Sequence, residues 1–191
     1  MFLKLSSNMS IATAENAWID TTDSRNPEVL SQARQIIETT IYCSLSTCTP
    51  DGFPWATPVF FTFDQDLNLY WSSAVVAKHS QNIYQNHGRL AVAIYSTDKA
   101  EGKGKGVYFT GVADELEPER VSTVMESLFR RAGGEAPNRT AQDYLPPSPR
   151  RMYKFTPEAA WITGQRIPMG NQLIDPKIQL DLTALRQWEA E

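Results

Sequence analysis

The sequence predicts a mainly β, α+β fold: a six-stranded antiparallel barrel, closed or nearly closed, with helices at its edges. Three observations predict it. Apolar residues alternate with period two in about six short runs, as in strands with one buried face. Most of these runs are joined by short segments rich in turn residues, so consecutive strands pair antiparallel. Segments of helical period are few and sit at the edges of the strand series.

Residues 1–25 are polar and aperiodic and read as an N-terminal arm; the domain proper covers 26–191. Asn26-Pro27 reads as a cap followed by proline in the first helical turn. Val29, Ala33, Ile36 and Ile37 then mark one face of a helix over 27–39. From Ile41 the period becomes two, with Ile41, Cys43 and Leu45 alternating with Tyr42, Ser44 and Ser46. Thr49-Pro50-Asp51-Gly52 forms a turn in which Gly52 is free to take positive φ. The run 55–63 is apolar on both faces. Trp55, Val59, Phe61 and Phe63 point one way, and Ala56, Pro58 and Phe60 the other. Such a strand needs a core on one side and a helix, a second subunit or a ligand on the other. Asp64-Gln65-Asp66 turns the chain back into a strand over 67–73.

A short helix is expected over 78–87, ended by Gly88. Leu90, Val92 and Ile94 mark a strand, 97–105 a glycine- and lysine-rich loop, and 107–113 a further strand. Pro118 opens a helix with Val121, Val124, Met125, Leu128 and Phe129 on one face. Residues 132–149 read as a long loop, 152–155 and 159–163 as two short strands. Asp181 reads as the cap of a last helix through Leu182, Leu185 and Trp188.

A chain of 191 residues can bury one proper core, and 41% hydrophobic with 21% charged residues is ordinary for a globular domain. A net charge of −4 argues against broad nucleic-acid binding, which calls for a basic excess. Cys43 and Cys48 lie five apart in a strand, so they point to opposite faces and do not bridge; they read as two buried thiols. No apolar leader follows Met1, and no run approaches the ~18 apolar residues of a membrane span, so a cytoplasmic location is expected.

The densest chemical signal is the stretch from Tyr70 to Asn82. A strand ends in Ser72 and Ser73, a short apolar loop follows, and a helix starts with Lys78, His79 and Ser80. Helix N-termini present free N–H groups and partial positive charge, which suit phosphate. Lys78 adds a full charge and shares a helix face with Asn82. A capped surface helix with an exposed lysine has the same pattern.

Three pieces in order extend this signal. They are the strand–turn–strand from Ser44 to Val59, the strand–loop–helix with Lys78-His79-Ser80-Gln81-Asn82, and Arg89 to Ile94 followed by a loop and Gly106 to Ala113. Together they resemble the core of the pyridoxamine 5'-phosphate oxidase-like, FMN-binding split-barrel family. The resemblance covers 41–116 most firmly. It implies a split β-barrel, FMN as cofactor, a flavin-dependent oxidoreductase and a homodimer in which both chains contact each flavin. It implies that Thr57, Pro58, Val59 and Phe60 line the flavin ring or the ribityl chain. Trp71 and Ser72 then sit near the phosphate, with Lys78 as its lysine and His79 and Ser80 extending the contact; the Ser73 hydroxyl and Asn82, on the Lys78 face of the helix, are added as candidate ligands from their positions alone. Trp161 and Arg166 resemble the family's C-terminal cofactor and substrate residues.

Departures from the pattern are specific. The oxidases proper carry an arginine where Thr57 stands, a second basic residue at Ala77, and a glutamine near Gly106. They also carry two C-terminal arginines where this chain has Arg166 and then Met169-Gly170. The phosphate therefore meets fewer positive charges here, and neither the substrate, the electron donor nor any catalytic residue is specified. F420 or haem in the same groove, and a non-catalytic flavin-binding or flavin-storage protein, remain as alternatives.

Glu101-Gly102-Lys103-Gly104-Lys105-Gly106 is not a P-loop, because the required spacing fails; it reads as a mobile surface loop or as a lid over the flavin. His79 and His87, eight apart on one short helix, fall on roughly the same side but make no metal site without further ligands. No Ser-His-Asp order or nucleophile elbow appears.

Overall fold

The computed structural model describes residues 11–134 and 138–188. In chain order its elements are β1 (Ile19–Asp20), α1 (Pro27–Thr39), β2 (Tyr42–Cys48), β3 (Pro54–Phe60), β4 (Thr62–Phe63), β5 (Leu69–Ala74), α2 (Lys78–Gln85), β6 (Arg89–Tyr95), β7 (Gly106–Glu115), α3 (Val121–Arg131), β8 (Arg150–Thr163), β9 (Ile167–Met169), β10 (Gln172–Ile174), β11 (Lys177–Leu180) and α4 (Leu182–Arg186). Local chemistry explains the helix starts. The Asn26 side chain accepts from the Glu28 N–H at 2.9 Å, and Asp181 accepts from the Ala184 N–H at 3.0 Å.

The main sheet runs β11-β8-β7-β6-β2-β3, antiparallel throughout, with β5 also paired to β8 and β4 paired to β5. The two short strands β3 and β4 are one bent run. The first half pairs with β2 and the second with β5, so the sheet curls back on itself into a barrel. The single strand expected over 55–63 is therefore broken at Phe61, where the chain leaves one neighbour for the other. Conversely, the two strands expected at 152–155 and 159–163 are one long strand, β8. Thr110 pairs with Ala159 and Gly111 with Pro157, so Glu158 is an extra residue in a bulge. The bulge lets Pro157, which cannot donate to a ladder, stay inside a strand. Gly111 is required there: a Cβ would lie 2.1 Å from the Thr156 carbonyl oxygen.

The arm is partly tied down. Ile19 and Asp20 pair in parallel with Lys177 and Ile178, and Arg25 pairs with Asp181 at 2.6 Å. Residues 1–10 of that arm lie outside the described residues. Strand β11 and the small β9–β10 hairpin were not expected from the sequence, because their runs of three or four residues are too short to show a period.

The barrel interior is filled by Leu45, Phe61, Trp71, Val92, Phe109, Tyr153, Phe155 and their neighbours, closed by Leu30, Ala33 and Ile37 of α1. A second cluster, Tyr70, Val121, Val124, Leu128, Tyr144 and Met152, seats α3 on the outside of β5 and β8. Arg131 joins α3 to α1: its guanidinium donates to the carbonyls of Ile37 and Thr40 at 2.6 and 2.7 Å and lies over the rings of Phe61 and Phe63. These carbonyls end α1, where a cation meets the negative end of the helix dipole. Among the described residues no helix is long and apolar enough to cross a membrane.

Candidate cofactor site

The barrel has a split. Strand β3 pairs with β2 along one edge and, among the described residues, has no partner on the other. On β5, Trp71 to Ala74 pair with β8 but not with β4, which reaches only Leu69 and Tyr70. Strands β3 and β5 therefore approach each other without a ladder between them. Helix α2 leaves the end of β5 and packs on β2, β3 and β7. An unpaired edge presents backbone N–H and C=O groups to whatever enters the split.

Alternation decides which side chains face the split. Cys43, Leu45 and Thr47 of β2 lie opposite Val59, Thr57 and Trp55 of β3, on the barrel's inner side. Thr57 is half-buried, and its hydroxyl is shut off from water with no hydrogen-bond partner. Pro58 is exposed and Phe60 half-buried on the outer side, while Val59 is buried. Trp55, expected to be covered, is 44% exposed because β3 is an edge.

The first turn of α2 has no side-chain cap: Ala77 stands at the cap position, and no acidic residue follows. The first helical bond runs from the Gln81 N–H to the Ala77 carbonyl, which leaves the N–H groups of Lys78, His79 and Ser80 without intrahelical partners. Lys78 is exposed and forms no ion pair among the described residues. It lies close enough to the Asp51 carboxyl to add to the lowering that Thr49 and the local backbone produce there.

Several side chains assigned to the ligand turn inward instead. Trp71 is fully buried and stacks on Tyr153 at 5.7 Å, so its ring is part of the core. The Ser73 hydroxyl and His79 Nε2 share a buried hydrogen bond of 2.7 Å. Burial pushes the His79 imidazole below its ordinary 6.5, which favours the neutral form. Ser80 is fully buried near Tyr153, and Asn82 donates to the Thr47 hydroxyl at 2.9 Å. Lys78 and Asn82 thus share a spacing but not an environment. The alternation along β5 holds these assignments in place: Leu69, Trp71 and Ser73 point in, and only Ser72 of the two serines stays half-exposed toward the outside.

His87 does not lie with His79. The helix stops at Gln85, and His87 takes a left-handed φ of 53° and is exposed. No group of three or more His, Cys, Asp or Glu side chains among the described residues could hold a metal ion. Both cysteines are free. Burial lifts the Cys43 thiol to about 12, while Cys48 is only half-buried and accepts from Asn86.

Trp161 and Arg166 lie elsewhere. Trp161 sits on the outer face of β8, opposite Tyr108 and Gln179, with its indole N–H shut off from water and unpartnered. Arg166 pairs with Asp175 at 2.8 Å, and its guanidinium lies against Gly102. Between β8 and β3 stand β7, β6 and β2, about 19 Å along the sheet at ~4.8 Å per step. Trp161 lies on the outer face and Thr57 on the inner face, four strands apart along the curled sheet.

A family model described as pyridoxamine 5'-phosphate oxidase matches residues 29–164, well over half of the chain. The chain belongs to that family. The match runs from α1 to the end of β8, and so takes in the barrel, the split and α2 but not Arg166 or the β9–β10 hairpin. No curated protein matches. Among solved structures, the chain is similar to the protein Atu2129, of unknown function, from Agrobacterium tumefaciens, with 22% identity, 81% of this chain and 64% of that one covered, and a TM-score of 0.62. It is similar to a heme binding protein from Mycobacterium smegmatis, with 18% identity, 83% and 60% covered, and a TM-score of 0.60. It is also similar to an F420 reductase, with 19% identity, 66% and 94% covered, and a TM-score of 0.52. The chain thus spans under two thirds of the first two. These likenesses carry the split-barrel fold of the pyridoxamine 5'-phosphate oxidase family and leave its cofactor open.

Proposed function

We propose that this protein is an FMN-dependent oxidoreductase that works as a homodimer, with each flavin held in the split of one barrel and completed by the second chain. The observation that carries this reading is the pairing of an open strand edge with an uncapped helix start beside it. The free edge of β3 can hydrogen-bond a planar heterocycle through its backbone, and Thr57, Pro58 and Phe60 would line it, with Val59 contributing its backbone because its side chain is in the core. The N–H groups of Lys78, His79 and Ser80, the Lys78 ammonium and the Ser72 hydroxyl would hold the phosphate. His79 and Ser80 would contribute through their backbone, because their side chains are engaged in the interior. The orphaned Thr57 hydroxyl gains a partner when a ligand fills the split.

The second chain enters for two reasons. The outer face of the sheet is nearly free of charge where Ser44, Ser46, Ala56, Pro58, Ala91 and Ala93 meet across β2, β3 and β6. A flat face of small residues suits close contact with a copy of itself. Trp161, on the outer face four strands around from β3, would with Arg166 meet a flavin on the partner. FMN supplies the redox chemistry when bound, and the protein supplies binding, orientation and exclusion of water. Haem in the same split is a further alternative: the His79 side chain is engaged with Ser73, and His87 is the other histidine, exposed beyond the end of α2. F420 in the same split is the second cofactor to test. A non-catalytic flavin carrier would share the site but not turn over.

Titration of the full-length protein with FMN, followed by flavin fluorescence, should saturate at one flavin per chain. Lys78→Ala should weaken FMN binding by about 1.5–3 kcal/mol, as expected for a lost charge-assisted hydrogen bond, and leave riboflavin binding unchanged. Equal losses for FMN and riboflavin would remove Lys78 from the phosphate site.

A further inference from the structure

Three oxidisable rings run in line from the barrel interior to the surface of α2. Trp71 of β5, fully buried, stacks on the equally buried Tyr153 of β8, with centroids 5.7 Å apart and planes 12° from parallel. Tyr153 meets Tyr84 of α2 at 6.2 Å between centroids, and the two hydroxyls are 2.6 Å apart. Tyr84 is 43% exposed and donates to Glu115 Oε1 at 2.6 Å. A phenol has one proton to give, so the proton between the two tyrosines is that of Tyr153. Arg151 holds the other oxygen of Glu115 at 3.2 Å. Packing alone asks for none of this chemistry. The other ring contacts among the described residues pair Tyr42 with Phe60 and Phe61 with Phe63, and a phenylalanine ring is hard to oxidise.

We propose that Trp71, Tyr153 and Tyr84 form a one-electron relay, with Tyr84 as its surface exit and Glu115 as its proton acceptor. A one-electron oxidant on the β5 side takes an electron from Trp71 and is itself reduced. That electron is replaced from Tyr84 through Tyr153. The Tyr84 O–H bond breaks as its electron leaves, and the proton forms a new O–H bond on Glu115. A neutral Tyr84 radical remains. A thiolate or other soluble one-electron donor then reduces the radical, and Glu115 returns the proton. Losing electron and proton together makes a tyrosine easier to oxidise than a tryptophan, so the oxidising equivalent runs outward. Burial, with Glu115 and Tyr153 beside it, pushes the Tyr84 hydroxyl above its ordinary 10, so the phenol keeps its proton until the electron leaves. Trp71 directly precedes Ser72 of the proposed phosphate site, so a flavin held there is an oxidant of the required class. That identity rests on the flavin reading; the relay itself does not.

The test uses the full-length protein, near-ultraviolet light absorbed by tryptophan but not by tyrosine, and the spin trap 2-methyl-2-nitrosopropane. Peptide mass mapping then locates the trapped radicals. Tyr84 should carry the label, and Trp71→Phe should lower it at least tenfold. Tyr153→Phe should do the same; it removes one hydroxyl and keeps the ring stack, so a loss of label there is not a loss of fold. Glu115→Gln should lower the label several-fold by taking away the proton acceptor. Absence of label at Tyr84 overturns the proposal, as does a label that Trp71→Phe and Tyr153→Phe leave unchanged. An unchanged label in Glu115→Gln overturns the assignment of the proton. With FMN added, visible light absorbed by the flavin alone should label Tyr84 by the same route. A protein that binds no FMN yet passes the ultraviolet test sinks the flavin reading alone.

Discussion

Strands β8 and β3 show what pairing does to a strand's role. Strand β8 is the hub of the barrel: β7 lies along one edge, and β5 and then β11 along the other. Its inward side chains Tyr153, Phe155, Ala160 and Ile162 are all buried, and its one irregularity is absorbed by a glycine across the ladder. Strand β3 has a single partner, and its first three residues are exposed. Both strands are rich in apolar residues, yet the first is committed to the core while the second keeps a free edge and a free face. Strand β8 is committed to the core, and the proposed binding falls to β3, because a strand satisfied on both edges has nothing left to offer a ligand.

The strongest test of that contrast is Phe155→Ala in β8. Removing a fully buried ring should cost about 3–5 kcal/mol, read as a lower urea midpoint with an unchanged slope. A loss below about 1 kcal/mol would show that the hub is less tightly packed than its burial implies. On the other strand, Ala56→Glu places a charge on the exposed face of β3. Folding stability should change by no more than about 0.5 kcal/mol, while the proposed dimer should dissociate in light scattering and the proposed FMN binding should weaken. A dimer that persists would place the second chain somewhere other than this face.

A smaller effect lies where the two regions meet, at α2. His79 is buried and its imidazole is held below 6.5, so the unfolded chain takes up a proton before the folded one does. The stabilising contribution is therefore complete above about pH 6.5 and is lost as pH falls through the lowered folded value. Urea melts at pH 7.5 and pH 5.5 should differ by more in the natural protein than in His79→Gln. An identical pH dependence in both would assign the acid sensitivity to another group.

Much of this architecture was legible in the chain. The cap at Asn26, the turn at Thr49 to Gly52 and the alternation along β2, β6 and β7 are local properties, and local sequence is enough to specify them. The site was legible only in outline. The pattern from Tyr70 to Asn82 located the strand, the loop and the uncapped helix start, but it did not tell which side chains point outward. Burial of Ser80 and Asn82 depends on α2 packing on β2, β3 and β7, and that of Trp71 on Tyr153 of β8; no spacing along the chain encodes those contacts. The line of rings from Trp71 to Tyr84 was missed for the same reason, because its members come from β5, β8 and α2.

By itself, then, the sequence determined the period of each segment, the caps and turns that bound them, and the order of strands whose connections are short. Only the tertiary structure decided that Pro54 to Phe63 changes partners at Phe61 and that β8 carries a bulge instead of a break. It alone set Thr57 beside an open edge and Trp161 across the sheet. The physical reason is range. Backbone preference and hydrophobic period act over a few residues, whereas edges, splits and cavities arise where distant strands do or do not find partners.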